Sequence, residues 1–125
     1  METNSDMNSF IWYYESGKVE REIWCLDDKK HRADGPAVIS YYKTGEIEYK
    51  SWWVNGKLFR ATSPNIIWYY KNGDIQQEEW YINDKKLDSQ EIIKYKKWLE
   101  EYCLNDKSYD QWTDEEKVLW RLSWM

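Results

Sequence analysis

Ile39 to Ile66, ISYYKTGEIEYKSWWVNGKLFRATSPNI, reads as strand, tight turn, strand, tight turn and short return. Thr44-Gly45 and Asn55-Gly56 supply the turns, because glycine and asparagine accept the positive φ that short hairpin loops require. The same pattern starts 28 residues earlier at Ile11 and 28 residues later at Ile67. Tyr13, Tyr41 and Tyr69 are in phase, as are Gly17, Gly45 and Gly73, and Trp24, Trp52 and Trp80. So many identities at one spacing indicate an array of equivalent units. The reading is a mainly β chain, α+β overall: an antiparallel β-hairpin repeat meander of about six strands. Three units on a 28-residue period, 11–38, 39–66 and a shorter third, 67–88, follow a lead-in over 1–10 and precede a C-terminal helical cap over 89–125.

A two-residue first turn at Ser16-Gly17, Thr44-Gly45 and Asn72-Gly73 sets opposite charges across the loop: Glu15 with Lys18, Lys43 with Glu46, Lys71 with Asp74. It also pairs Tyr14 with Val19, Tyr42 with Ile47 and Tyr70 with Ile75. Tyr13, Glu20, Glu22, Trp24 and Leu26 then share one face, and Trp12, Tyr14, Val19, Arg21, Ile23 and Cys25 the other. Rings on both faces suggest a sheet covered on both sides in places. The recurring Trp24, Trp52 and Trp80 are expected to form a core ladder. The second turn, Asp27-Asp28, Asn55-Gly56 or Asn83-Asp84, is again hairpin chemistry, followed by a short basic return. In the first unit Asp34-Gly35-Pro36 leads into the next strand. In the second, Thr62-Ser63-Pro64 lacks the glycine, so a different backbone path or strain is expected there.

Beyond the third unit the periodicity becomes helical. Asp88 with Glu91 makes a capping box, and Leu87 with Ile92 a hydrophobic staple. Ile92, Tyr95, Leu99 and Tyr102 form one stripe. A second box, Thr113 with Glu116, opens a helix that is apolar on most sides through Val118, Leu119, Trp120, Leu122 and Trp124, and is therefore expected to be buried. Repeat arrays need distinct end units to cover their last open face.

Composition narrows the functional classes. Ten Trp and eleven Tyr among 125 residues give a chain that relies on amphipathic rings. A net charge of -5 opposes binding to nucleic acid or an anionic membrane. Cys25 and Cys103 stand far apart, which suggests a reducing compartment, and Cys25 takes the slot of Trp53 and Tyr81. The opening METNSDMNSF lacks signal-peptide character, and a cytoplasmic location is expected (the host cytoplasm if the source is a virus).

His31-Arg32-Ala33-Asp34-Gly35-Pro36-Ala37-Val38, the turn at Gly45, Trp52 with Val54-Asn55-Gly56-Lys57, and Asn72-Gly73 with Glu79-Trp80-Tyr81 resemble the variant MORN repeats of large DNA virus proteins and bacterial antitoxin-like proteins. The resemblance covers about residues 11–88 and departs at Ala61-Thr62-Ser63-Pro64. It implies an elongated run of β-hairpins used as a scaffold or binding surface, without catalytic residues.

The residues themselves offer no catalytic group, metal site or cofactor motif. The only histidine, His31, occupies the slot of Phe59 and Leu87. Asp27 and Asp28 are turn formers, and one histidine with two cysteines makes no zinc set. The candidate binding surface is aromatic: Tyr13, Tyr41 and Tyr69 in register, with Trp12, Trp68, Trp53 and Tyr81. Gly17, Gly45, Gly73, Trp24, Trp52, Trp80, Gly35, Pro36 and Pro64 are read as structural. Strand Phe10–Glu15 forms a second candidate, an open edge that can pair with another protein or with a second copy. The leading function is protein–protein interaction. The alternatives are a carbohydrate-binding module that stacks sugars on Trp and Tyr, and an antitoxin-like regulator with a cognate protein. The positions that vary between units, Arg21/Tyr49/Gln77, Ile23/Ser51/Glu79 and the Thr62-Ser63-Pro64 turn, are the other place to look for specificity.

Overall fold

Two kinds of turn build the fold, and each follows from its residues. In the computed structural model, which describes residues 7–125, the second turns have positive φ at both central residues: Asp27 and Asp28 at 50° and 65°, Asn55 and Gly56 at 50° and 82°, Asn83 and Asp84 at 52° and 65°. This is the two-residue loop whose twist matches that of its strands. The first turns are one residue longer than the sequence suggests. Tyr14 N–H donates to the Lys18 carbonyl, Gly17 N–H donates to Tyr14, and Gly17 has φ +91°. Tyr42 and Tyr70 repeat the arrangement with Gly45 and Gly73. Tyr13 therefore lies opposite Val19, Tyr41 opposite Ile47 and Tyr69 opposite Ile75.

The expected pairing of Tyr14, Tyr42 and Tyr70 with those residues is thus wrong by one place. A bulge immediately beyond restores the register, so that Trp12 faces Arg21 as expected. Because the loop holds three residues, the charges flanking it do not meet: among the described residues neither Glu15–Lys18, Lys43–Glu46 nor Lys71–Asp74 forms an ion pair. Lys18 reaches across to the next turn, 3.2 Å from the Thr44 carbonyl.

The strands are β1 (Met7–Tyr13), β2 (Val19–Leu26), β3 (Lys29–Lys30), β4 (Val38–Tyr41), β5 (Ile47–Ser51), β6 (Trp53–Val54), β7 (Lys57–Leu58), β8 (Ile66–Tyr69), β9 (Ile75–Glu79), β10 (Tyr81–Ile82) and β11 (Lys85–Lys86). The main sheet is antiparallel in the order β1-β2-β4-β5-β8-β9, with β3 on β2; β6-β7 and β10-β11 are separate two-stranded ribbons. Part of the expected lead-in, residues 1–6, lies outside the described residues. From Met7 the chain is already strand, three residues before Phe10.

The chain then forms α1 (Ser89–Glu101), a 3-10 turn at Tyr109–Gln111 and α2 (Asp114–Trp124). Both predicted capping boxes are present: Glu91 N–H donates to Asp88 at 2.8 Å and Glu116 N–H to Thr113 at 3.1 Å. The core lies at this end of the molecule. Ala61, Trp80, Ile82 and Leu87 from the sheet side close on Tyr95, Leu99, Leu104, Trp112 and Trp120, with Phe59, Ile92, Trp98, Tyr109 and Trp124 around them. Tyr95 is the centre: its hydroxyl donates to the Ala61 carbonyl and accepts from Trp120 Nε1 at 2.8 Å. Burial pushes that hydroxyl's pKa far up.

One expectation about this end fails, the burial of α2. Of the α1 stripe, Tyr95 and Leu99 are buried, but Tyr102 is exposed. α2 buries Trp120 alone, and leaves Leu122 81% and Val118 44% exposed. Among the described residues nothing covers the outer face of α2.

The turn without a glycine needs no strain. Gly35 does not have positive φ, so Ser63 can follow the same path. Arg32 donates to the Pro36 carbonyl at 3.3 Å and Arg60 to the Pro64 carbonyl at 3.1 Å, which fixes both turns alike. In each case the guanidinium lies over the tryptophan of its own unit, Arg32 4.4 Å from the Trp24 ring and Arg60 3.6 Å from Trp52; Lys96 of α1 takes that place over Trp80 at 5.5 Å. Only Trp80 of the expected core ladder is fully buried, and the other two are half-buried under arginine.

Candidate interaction site

Strand pairing arranges side chains in rows across the sheet. Trp12, Arg21, Ser40, Tyr49, Trp68 and Gln77 make one row, and Phe10, Ile23, Val38, Ser51, Ile66 and Glu79 the next on the same face. The opposite face carries Ile11, Glu22, Ile39, Lys50, Ile67 and Glu78. Two of the three sets of between-unit variable positions thus form adjacent rows on the Trp12 face. A groove of about 390 Å³ runs over it, floored by Tyr49 and Trp68 and flanked by Arg21, Lys30 and Glu48.

The seven aromatic candidates do not form one surface. Trp12 and Trp68 share a row on one face, whereas Tyr13, Tyr41 and Tyr69 follow the other. Tyr41 and Tyr69 are joints between units. The Tyr14 hydroxyl donates to the Tyr41 carbonyl and that of Tyr42 to the Tyr69 carbonyl, both at 2.6 Å. Tyr41 itself donates to Glu22 at 2.5 Å; burial first, then that bond and the carboxylate's charge, push its pKa up to about 12. Lys50 lies 5.5 Å from the Tyr69 ring.

Trp68 is half-buried and meets Tyr49 edge-on at 5.3 Å. Trp53 donates to Ser51 at 2.8 Å with Lys30 over its ring, and Tyr81 donates to Glu79 at 3.0 Å. His31 is likewise a joint, accepting from Asn55 N–H at Nδ1.

Trp12 and Tyr13 remain, and their exposure belongs to a longer run. Phe10, Ile11, Trp12 and Tyr13 are 48%, 43%, 41% and 59% exposed. They project alternately to both faces of β1, which has β2 on one side and, among the described residues, no strand on the other. Arg21 covers part of Trp12, 5.0 Å from its ring. The opposite edge, β9, is made of Ile75, Gln76, Gln77, Glu78 and Glu79, so one edge is apolar and the other polar.

Sequence reasoning missed the arginine–tryptophan stacks, although Trp24/Arg32 and Trp52/Arg60 share one spacing. It also missed Asn65, which is wholly buried and whose side-chain oxygen accepts from Tyr81 N–H at 2.7 Å; its alignment with Ala37 gives no sign of that role. Among the described residues, no three His, Cys, Asp or Glu side chains are grouped to hold a metal ion. No helix in them is long and apolar enough to cross a membrane. Comparison with family models, curated proteins and solved structures finds no match to the chain.

Proposed function

We propose that the chain is a non-enzymatic scaffold, built on MORN-like repeats, that binds another protein in the cytoplasm by way of β1. One observation carries this reading: four consecutive large apolar residues, Phe10 to Tyr13, stand exposed on an edge strand. Soluble proteins blunt such edges with charge, proline or a covering element, and Phe10 to Tyr13 contain neither a charge nor a proline. An extended partner segment would pair its backbone with β1 and place alternate side chains against Phe10 and Trp12 on one face and Ile11 and Tyr13 on the other. The groove beside Arg21 would accept the partner's side chains on the first of these faces.

A photo-cross-linking residue at Tyr13, with the same residue at the exposed helical position Ile93 as control, tests the reading in cells. A discrete adduct from position 13 that is absent from position 93, and that Trp12→Ser weakens, is the expected result. Equal adducts from both positions, or none from position 13, would overturn it.

A further inference from the structure

We propose that the protein assembles head to tail, β9 of one copy receiving β1 of a second copy as the next strand of its sheet. This rests on the reading of β1 as an interaction strand and names the partner as a second copy of the chain. Each junction between consecutive hairpins uses the same parts. Glu22 lies opposite Ile39 in the first, and Lys50 opposite Ile67 in the second. A tyrosine hydroxyl from the outgoing hairpin donates to a tyrosine carbonyl of the incoming one, Tyr14 to Tyr41 and Tyr42 to Tyr69. A tyrosine ring of the incoming hairpin meets the outgoing charge, Tyr41 at Glu22 and Tyr69 at Lys50.

One more step of 28 residues brings the outgoing parts to Tyr70 and Glu78. The incoming parts belong to a strand that the described residues do not place beside β9, but that β1 supplies in phase: Ile11 for Ile39 and Ile67, Tyr13 for Tyr41 and Tyr69. These matching groups are not hydrogen-bonded through their side chains at either end, although the Glu78 carboxylate acts through its charge on Arg60. Tyr70 and Tyr13 are 51% and 59% exposed, Glu78 is exposed, and among the described residues no hydrogen bond engages their side chains.

The joint would set Glu78 opposite Ile11 of the second copy, with the Tyr70 hydroxyl on the Tyr13 carbonyl and the Tyr13 hydroxyl on Glu78. The cap touches only one end of this edge, where Glu78 and Trp80 line a cavity with Lys96, Leu99 and Glu100 of α1. Lys96 holds the Trp80 end, while Ile75 to Glu78 are exposed. A two-fold pairing of β1 with β1 would leave Tyr70 and Glu78 unused, which disfavours it. A head-to-tail joint does not close on itself, so it extends into an open series.

Sedimentation velocity on the full chain tests the joint. Wild type should gain mass with concentration without stopping at a dimer. Ile11→Pro and Glu78→Pro each blunt one side, so each alone should be monomeric, and an equimolar mixture should form a 1:1 dimer and nothing larger. Circular dichroism checks that both fold. Should either proline variant misfold, Tyr70→Phe decides, with an expected weakening of about fivefold, the value of one hydrogen bond; undiminished association of that variant would overturn the joint.

Dimers of Glu78→Pro alone would mean β1–β1 pairing and overturn the proposal, as would a wild type that stays monomeric at every concentration. A Tyr13 adduct to a different protein, with wild type monomeric, would refute self-assembly and leave β1 an interaction strand.

Discussion

Replacing Tyr95 by phenylalanine removes one oxygen atom and tests what joins the cap to the repeats. That hydroxyl is the meeting point of three segments: α1, which carries it, the loop of the second unit through the Ala61 carbonyl, and α2 through Trp120 Nε1. Tyr95, Ala61 and Trp120 are 1%, 4% and 3% exposed, so water cannot replace the lost partner. Each buried polar group left unpaired costs about 1–3 kcal/mol. Two such groups, with some relaxation between them, give an expected loss of about 2–4 kcal/mol, a large share of the stability of a small domain. Equilibrium urea unfolding, followed by both tryptophan fluorescence and far-ultraviolet circular dichroism, measures it. The midpoint should fall with an unchanged slope. Tyr102→Phe, at the exposed C-terminal cap of α1, should change stability by less than about 0.5 kcal/mol. A Tyr95→Phe loss no greater than that of the control would refute the hydroxyl as the link between cap and repeats.

Arg60→Lys keeps the charge but loses the planar stack 3.6 Å over Trp52, and with it the fixed hydrogen bond to Pro64; a cost of about 1–2 kcal/mol in urea unfolding is expected. Raising the pH should weaken the fold at the alkaline end. Tyr41 binds its proton more tightly folded than unfolded, so its contribution is whole below about pH 10 and is lost as pH rises to about 12; because the ring is part-exposed, about 1 kcal/mol is expected, and Tyr41→Phe should flatten that part of the profile. Leu122→Glu should leave stability within about 0.5 kcal/mol of wild type, because the side chain is 81% exposed despite the helix's apolar sequence.

The hairpin framework was legible because its turns are written in residue types with special backbone needs. Asn55-Gly56 and the caps at Asp88 and Thr113 act through local chemistry that tertiary context seldom overrides. The first turns were misread by one residue because Ser16-Gly17 fits two loop lengths, and the compensating bulge has no residue of its own to announce it. The outer face of α2 was misread because a helix with apolar residues all round says nothing of how many neighbours it has.

Tyr41 and Tyr69 looked like a displayed row because exposure was inferred from periodicity alone. Their carbonyls and rings are spent on joints between units, a role that only the spatial neighbour at the next hairpin reveals. Tyr13 escapes that fate because it precedes the first joint. The same repeat position is thus structural twice and free once, and free at the edge strand.

The central claim is that the β1 rings are held out for a partner and not for the fold. The most direct measurement is Tyr13→Ser, read for unfolding midpoint and for cross-linking from position 11 on the same strand. The account predicts a fold within about 1.5 kcal/mol of wild type, since most of the ring already contacts solvent, together with loss of the adduct. A variant that unfolds, or one that keeps both its stability and its adduct, would contradict it.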